Sequence, residues 1–315
     1  MSPRPAAHAA PTTCSAFSSR LGEPIAGTAP TATAWLAVEQ PGPWGARALT
    51  ESRLDPQLGA ELGRRAEGTG VRIALIRRVG HHAPADADAP RRVLMASTIP
   101  GRTVLRAMTV HDPRELLDLD FAALGSGQLE AGDPHPDPAL LICTNSKRDQ
   151  CCAVFGRALA RDVADLREVP GELELWETDH LGGHRFAPTA LVLPTGYLYG
   201  RVDAATALLA VERAAKGAIS LDNCRGRSTW SRRGQAADLA LRGELALHDA
   251  DAVEIVDEQE TAPDRWTVFA RAQGETYRVE VHQQIPAEAR PESCGKAFGN
   301  PPAQHVVSIT RPAEM

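Results

Sequence analysis

LLICTNSKRDQCCAVFGRAL, residues 140–159, runs from a strand through a polar loop into a helix. ALLICT (139–144) is an unbroken apolar run of strand length, the pattern of a strand covered on both faces. CAVFGRALARDVADL (152–166) places its apolar residues at helical spacing. Three of the six cysteines, Cys143, Cys151 and Cys152, lie within ten residues of one another here, and the loop between strand and helix holds Lys147, Arg148 and Asp149, a cap for the following helix. Downstream, ELELWET (172–178), TALVLPT (189–195) and YLYGRVD (197–203) read as strands, and AATALLAVERAAKG (204–217) closes the unit as a helix. Strand–helix–strand, then a hairpin and a helix, is a small α/β sandwich of thioredoxin type.

The same order stands upstream. AWLAVE (34–39) reads as a strand, 52–70 as a helix capped at Ser52 or Asp55, and VRIALIRRV (71–79), RRVLMASTI (91–99) and RTVLRAMTV (102–110) as strands. HDPRELLDLDFAAL (111–124) reads as one helix with Pro113 in its first turn. The expected fold class is therefore α/β, with two thioredoxin-like units, the first degenerate and the second metal-bearing, plus a small C-terminal α+β region. The expected divisions are a flexible N-terminal arm (1–20), the first unit (21–124), a Gly/Pro/Asp-rich linker (125–138), the second unit (139–217) and the C-terminal region (218–315). PGPWG (41–45) occupies the place of the second unit's cysteine loop, which makes the first unit a scaffold copy. CRGRSTW (224–230) reads as a basic loop feeding a helix, followed by antiparallel strands.

Composition bounds the function. With 315 residues, 43% hydrophobic and 23% charged, the chain has enough apolar surface for a sizeable core. A net charge of -6 argues against nucleic-acid binding. No apolar run is long enough for a membrane span, and the Pro/Ala/Thr-rich N-terminus has no apolar secretory core. Six cysteines in such a chain suit metal or redox chemistry better than disulfides, and a cytoplasmic location is expected. No glycine fingerprint for a nucleotide is present, so nicotinamide or flavin chemistry is assigned to a partner.

Cys143 ends a strand and Cys152 opens a helix, at the carboxyl edge where α/β folds carry their sites. His180 and His184 follow in H-L-G-G-H. Gly182 and Gly183 disfavour a helix between the imidazoles, so a tight turn around one metal is expected, and without an intervening Glu this is no zincin motif. Two thiolates and two imidazoles suit tetrahedral zinc or a histidine-ligated iron–sulfur cluster. Cys151 competes with Cys152 as the second sulfur ligand. Cys14 and Cys294 read as bystanders, and His81 and His82 as part of a solvated loop. Cys224, Arg225 and Arg227 read as a solvated loop with a cap at Ser228 or Thr229, or as a docking element. Arg148, Arg185, Arg225 and Arg227 are the candidates for tuning the centre or docking a partner.

CTNSKRDQCC, HLGGHRFAPTALVLPTGYLYGRV and CRGRST…QAADLALR, with GEPIAGTA…WLAVEQPGPWG upstream, resemble the bacterial sucrase/ferredoxin-like family, which is similar to thioredoxin-like [2Fe–2S] ferredoxins. The resemblance implies a [2Fe–2S] cluster on Cys143, Cys152, His180 and His184, with zinc the alternative, and an electron carrier served by a redox partner protein. Neutral imidazoles add less negative charge than thiolates. Clusters with two histidine ligands accordingly have potentials of roughly -150 to +300 mV, against about -400 mV for plant-type ferredoxins, and the outer imidazole proton makes the potential pH-dependent. No carboxylate pair suggests glycoside hydrolysis. A thiol–disulfide oxidoreductase is the third reading; it lacks C-x-x-C.

Overall fold

The computed structural model describes residues 13–80, 89–166 and 173–311; the His81–His82 loop and residues 1–12 of the arm lie outside them. Ten strands form one mixed sheet: β1 (Ala34–Glu39), β2 (Val71–Arg78), β3 (Arg91–Ser97), β4 (Val104–Val110), β5 (Asp133–Pro134), β6 (Ala139–Cys143), β7 (Glu174–Thr178), β8 (Thr189–Leu193), β9 (Tyr197–Gly200) and β10 (Cys224–Arg227). Their spatial order is β10-β9-β8-β6-β7-β2-β1-β3-β4-β5. β1 and β2 run parallel and β3 and β4 follow antiparallel; β6 and β7 run parallel and β8 and β9 follow antiparallel. The two halves thus repeat one strand order and one set of directions. They join edge to edge where β2 pairs antiparallel with β7, at Ile76↔Thr178, Arg77↔Glu177 and Arg78↔Trp176.

The two-residue period of the strands sorts their side chains between two faces. Leu140 and Ile142 of β6 pack with Leu159 and Val163 of the helix that follows the cysteine loop and with Val211 of the helix that follows β9. Leu36, Val38 and Leu75 pack with Leu58, Leu62, Phe121 and Leu124 in the first half. The opposite face carries Trp35, Ile76, Leu141, Trp176 and, from the end of β6, Cys143.

Among the described residues the helices are α1 (Cys14–Arg20), α2 (Ala48–Glu51), α3 (Pro56–Ala66), α4 (Phe121–Gly125), α5 (Arg157–Asp165), α6 (Ala204–Ala215) and α7 (Arg232–Leu245). α3 starts at Pro56 because Asp55, not Ser52, caps it, accepting the Gln57 N–H at 2.9 Å. The single helix expected over 111–124 is broken. A 3₁₀ turn, Pro113–Asp118, has its own Asp112–Glu115 capping box, and Asp120 then caps α4. Two aspartates that compete for backbone N–H groups outweigh the apolar spacing.

Three further expectations give way. Cys14–Arg20, placed in a flexible arm by composition, is a helix whose Cys14 and Ser18 are fully buried. The linker over 125–138 contains β5, paired to β4 at Arg106↔Pro134 and Ala107↔Asp133. The boundary at 218 falls inside the large sheet, because CRGR is not a solvated loop but the buried edge strand β10, paired with β9. Beyond it, α7, capped by Ser231 rather than Ser228 or Thr229, packs on a separate antiparallel sheet. That sheet is formed by β11 (Val253–Ala262), β12 (Arg265–Ala272), β13 (Glu275–Gln284) and β16 (Ala303–Thr310), and β14 (Arg290–Pro291) pairs with β15 (Phe298–Gly299). No helix among the described residues is long and apolar enough to cross a membrane.

Candidate metal centre

Cys143 sits at the carboxyl end of β6, fully buried, with Thr178 opposite it on β7. The chain leaves through TNSKRD and re-enters as a helix whose first N–H groups are met by Asp149, which accepts from Cys151 N at 2.7 Å. Cys152–Gly156 is a π-helical turn that leads into α5. Such wide turns recur at functional sites. Gly156 makes this approach possible: a Cβ there would lie 2.0 Å from the Cys143 carbonyl oxygen. The helix start is therefore pressed onto the strand end, and the Cys152 thiol hydrogen-bonds with that of Cys143.

The imidazoles arrive from the β7–β8 loop. Cys152 Sγ lies 3.2 Å from His184 Nδ1, and the His180 and His184 rings stack with centroids 4.8 Å apart. Gly182 and Gly183 both adopt positive φ, so H-L-G-G-H is a turn, and His184 opens a 3₁₀ turn, His184–Phe186. Gly183 has a second reason to be glycine, since a Cβ would strike the Arg225 guanidinium at 2.3 Å. His180 Nδ1 is buried with no hydrogen-bond partner. A buried orphan of this kind calls for an occupant or a role.

Electrostatics keeps both imidazoles in the neutral form. Burial, then the charge of His184 and of Arg72, Arg148 and Arg225, drives His180 down to about 3. Burial likewise lowers His184 against the attraction of Asp149. Both imidazoles are neutral at pH 7, the form that offers a lone pair. Hydrogen bonding from Cys152 lowers the Cys143 thiol against the cost of burial, and the same bond with burial raises Cys152.

The loops are held from both halves of the sheet. Arg72 on β2 donates to the His180 carbonyl at 3.2 Å, and Leu75 N donates to Asp179 Oδ1 at 3.1 Å. Arg225, 1% exposed, donates to the Gly182 carbonyl at 3.0 Å and to the Thr28 carbonyl and hydroxyl, and its charge bears on Cys143 and Cys152. Arg225 and Arg227 cannot dock a partner, because both are enclosed. Arg227 binds the carbonyls of Thr98 and Ala250 and the Asp251 carboxylate. Arg185 is tied to Glu23 at 2.7 Å, while Arg148 is exposed.

The vicinal cysteines diverge. Cys151 faces away from the imidazoles, toward Cys14 at 3.5 Å and Cys294 at 3.3 Å; those two are themselves 3.5 Å apart. Hydrogen bonds from Cys14 and Ser15 pull the Cys151 thiol down to about 6 against its burial. Asp149 lies between the groups: its oxygen belongs to a set with Cys14, Cys151 and Cys294, and to another with Cys152 and His184, each within 4.8 Å. These Cys, His and Asp groups could hold a metal. Cys14 and Cys294 were not identifiable as neighbours, since they lie 137 and 143 residues from Cys151 with no local spacing to mark them; an unpaired surplus of thiols was the only signal.

The fold is a mixed α/β architecture whose large sheet carries, at the end of β6, Cys, His and Asp groups that could hold a metal. The sucrase/ferredoxin-like family model matches residues 25–226, and the chain belongs to that family. Neither the curated proteins nor the solved structures contain a match to the chain.

Proposed function

We propose that the protein is a one-electron redox carrier that holds a [2Fe–2S] cluster on Cys143, Cys152, His180 and His184. The observation that carries this reading is Cys152 Sγ 3.2 Å from His184 Nδ1, with the His180 ring stacked on His184, its buried Nδ1 unpartnered, and Cys143 at the adjoining strand end. When bound, such a cluster supplies a couple that takes up and releases single electrons without bond rearrangement in the protein. The chain's own residues do the rest. Cys143 and Cys152 present sulfur from a strand end and a helix start, and the neutral imidazoles present nitrogen without adding charge. Arg225 fixes the histidine turn and adds a buried positive charge. The first half, through Arg72 and Leu75, supports the turn from behind.

The repeated strand order supports reading the halves as two thioredoxin-like units, the second alone bearing ligands. His180 is the most exposed of the four ligands, and Lys147 and Arg148 are exposed in the adjoining cysteine loop. An acidic redox partner protein is the occupant this face suits, within a reducing cytoplasm. The protein acts as a carrier or redox component rather than as a sucrose hydrolase.

Anaerobic purification tests the reading. Red-brown protein with about two irons and two sulfides per chain is expected, and Cys143→Ser should bleach it. Colourless protein with zinc on the same four residues would replace it with a structural zinc module.

A further inference from the structure

The three-cysteine group lies apart from the four proposed cluster ligands. Cys14 and Cys151 are fully buried and Cys294 is partly so. Their sulfur atoms form a nearly equilateral triangle with sides of 3.3, 3.5 and 3.5 Å. No pair is singled out, as a pair committed to a disulfide would be. Asp149 completes the group, with both carboxylate oxygens 3.8 Å from Cys14 Sγ.

We infer a second metal site here: one zinc ion bound by Cys14, Cys151 and Cys294, with a carboxylate oxygen of Asp149 in the fourth position. Tetrahedral zinc with sulfur at about 2.3 Å separates neighbouring sulfurs by about 3.8 Å, so the triangle needs to open by only a few tenths of an ångström. The surroundings are those of a zinc–thiolate centre, in which hydrogen-bond donors orient the ligands. Asp149 is fixed by Ser293 Oγ at 2.7 Å, Cys294 N at 2.8 Å and Cys151 N at 2.7 Å.

The site ties three distant segments together: α1, the cysteine loop and the 290s segment. Two of its sulfur ligands fall outside the region matched by the family model, residues 25–226. Its role is structural. It clamps the two ends of the chain over the face that carries Cys143 and turns Cys151 away, which leaves Cys152 alone beside His184. The Cys151–Cys152 peptide bond then joins the two metal centres.

The test uses the full chain, purified anaerobically with a thiol reductant and analysed for iron and zinc. About one zinc per chain is expected, independent of iron. Cys14→Ser and Cys294→Ser should each lose at least tenfold in zinc affinity while keeping colour and iron, and Cys143→Ser should lose colour and keep zinc. Cobalt(II) added to metal-stripped Cys143→Ser protein should still give the absorption of tetrahedral thiolate-bound cobalt, and cobalt added to metal-stripped Cys14→Ser protein should lose the three-thiolate part of it. Two zinc ions per chain would support this site while removing the iron–sulfur reading. Wild type that takes up no zinc or cobalt overturns the proposal, as does zinc retained by both variants or a Cys14, Cys151 or Cys294 disulfide in the reduced preparation.

Discussion

His180 Nδ1 is buried, unpartnered and attached to a ring held neutral. Its replacement by cysteine keeps a ligand but adds a negative charge to the centre. His180→Cys is expected to retain the chromophore and lower the midpoint potential by a few hundred millivolts, toward the range of all-cysteine clusters, as measured by redox titration. Arg225→Met removes a buried cation beside the thiols and should lower the potential on the order of 100 mV, the worth of one partly screened charge. Glu23 supplies the pH test. Burial works against its ionised form, but Arg290 and Arg185 outweigh burial and hold its carboxyl below the usual range. A lowered folded pKa contributes stability above the unfolded value near 4.3 and loses it as pH falls through the folded value. Glu23→Gln should therefore destabilise the protein at neutral pH and flatten the acid limb of a plot of unfolding free energy against pH. The four proposed ligands were legible because each stands beside a local signal, a strand end, a helix start or a glycine turn. Cys14 and Cys294 were not, because only the folded chain makes them neighbours.

The seam between β2 and β7 is short, yet it fixes the histidine turn. It encloses Arg77 and Glu177, whose side chains meet at 2.7 Å and are 5% and 2% exposed. Thr144 and Gly80 also donate to the Glu177 carboxylate. Removing one partner of a buried pair leaves an uncompensated charge, so Glu177→Ala should cost about 3–5 kcal/mol in urea unfolding. The double variant Arg77→Met/Glu177→Leu should recover most of that loss. The alternating and apolar runs marked the strands well, because one or both faces of each are covered. The pairing of the two halves through β2 and β7 left no such mark, since antiparallel edges carry no motif. CRGR misled for a related reason. Two arginines suggest solvent, but Arg225 and Arg227 spend their donors on backbone carbonyls and on Thr28, Thr103 and Asp251, so the charge is carried inside.

Across the whole molecule, both halves put their helices on one face of the ten-stranded sheet, and the other face receives five of the six cysteines, α1 and the 290s segment, Cys224 alone lying on the helix side. The repeat of strand order was visible in the sequence as a repeated order of elements. The continuous sheet was not, because nothing local distinguishes two separate units from two fused ones. The sulfur triangle adds a temporal consequence. Cys143 through His184 are made in one short span, so that pocket closes as soon as the second half of the sheet forms. Cys294 follows Cys151 by 143 residues. At about 5–20 residues per second of synthesis it reaches the ribosome exit roughly 7–30 s later. During that interval Cys14 and Cys151 wait without their third companion, so the three-thiol group is completed only after the metal-facing pocket of the second half has closed.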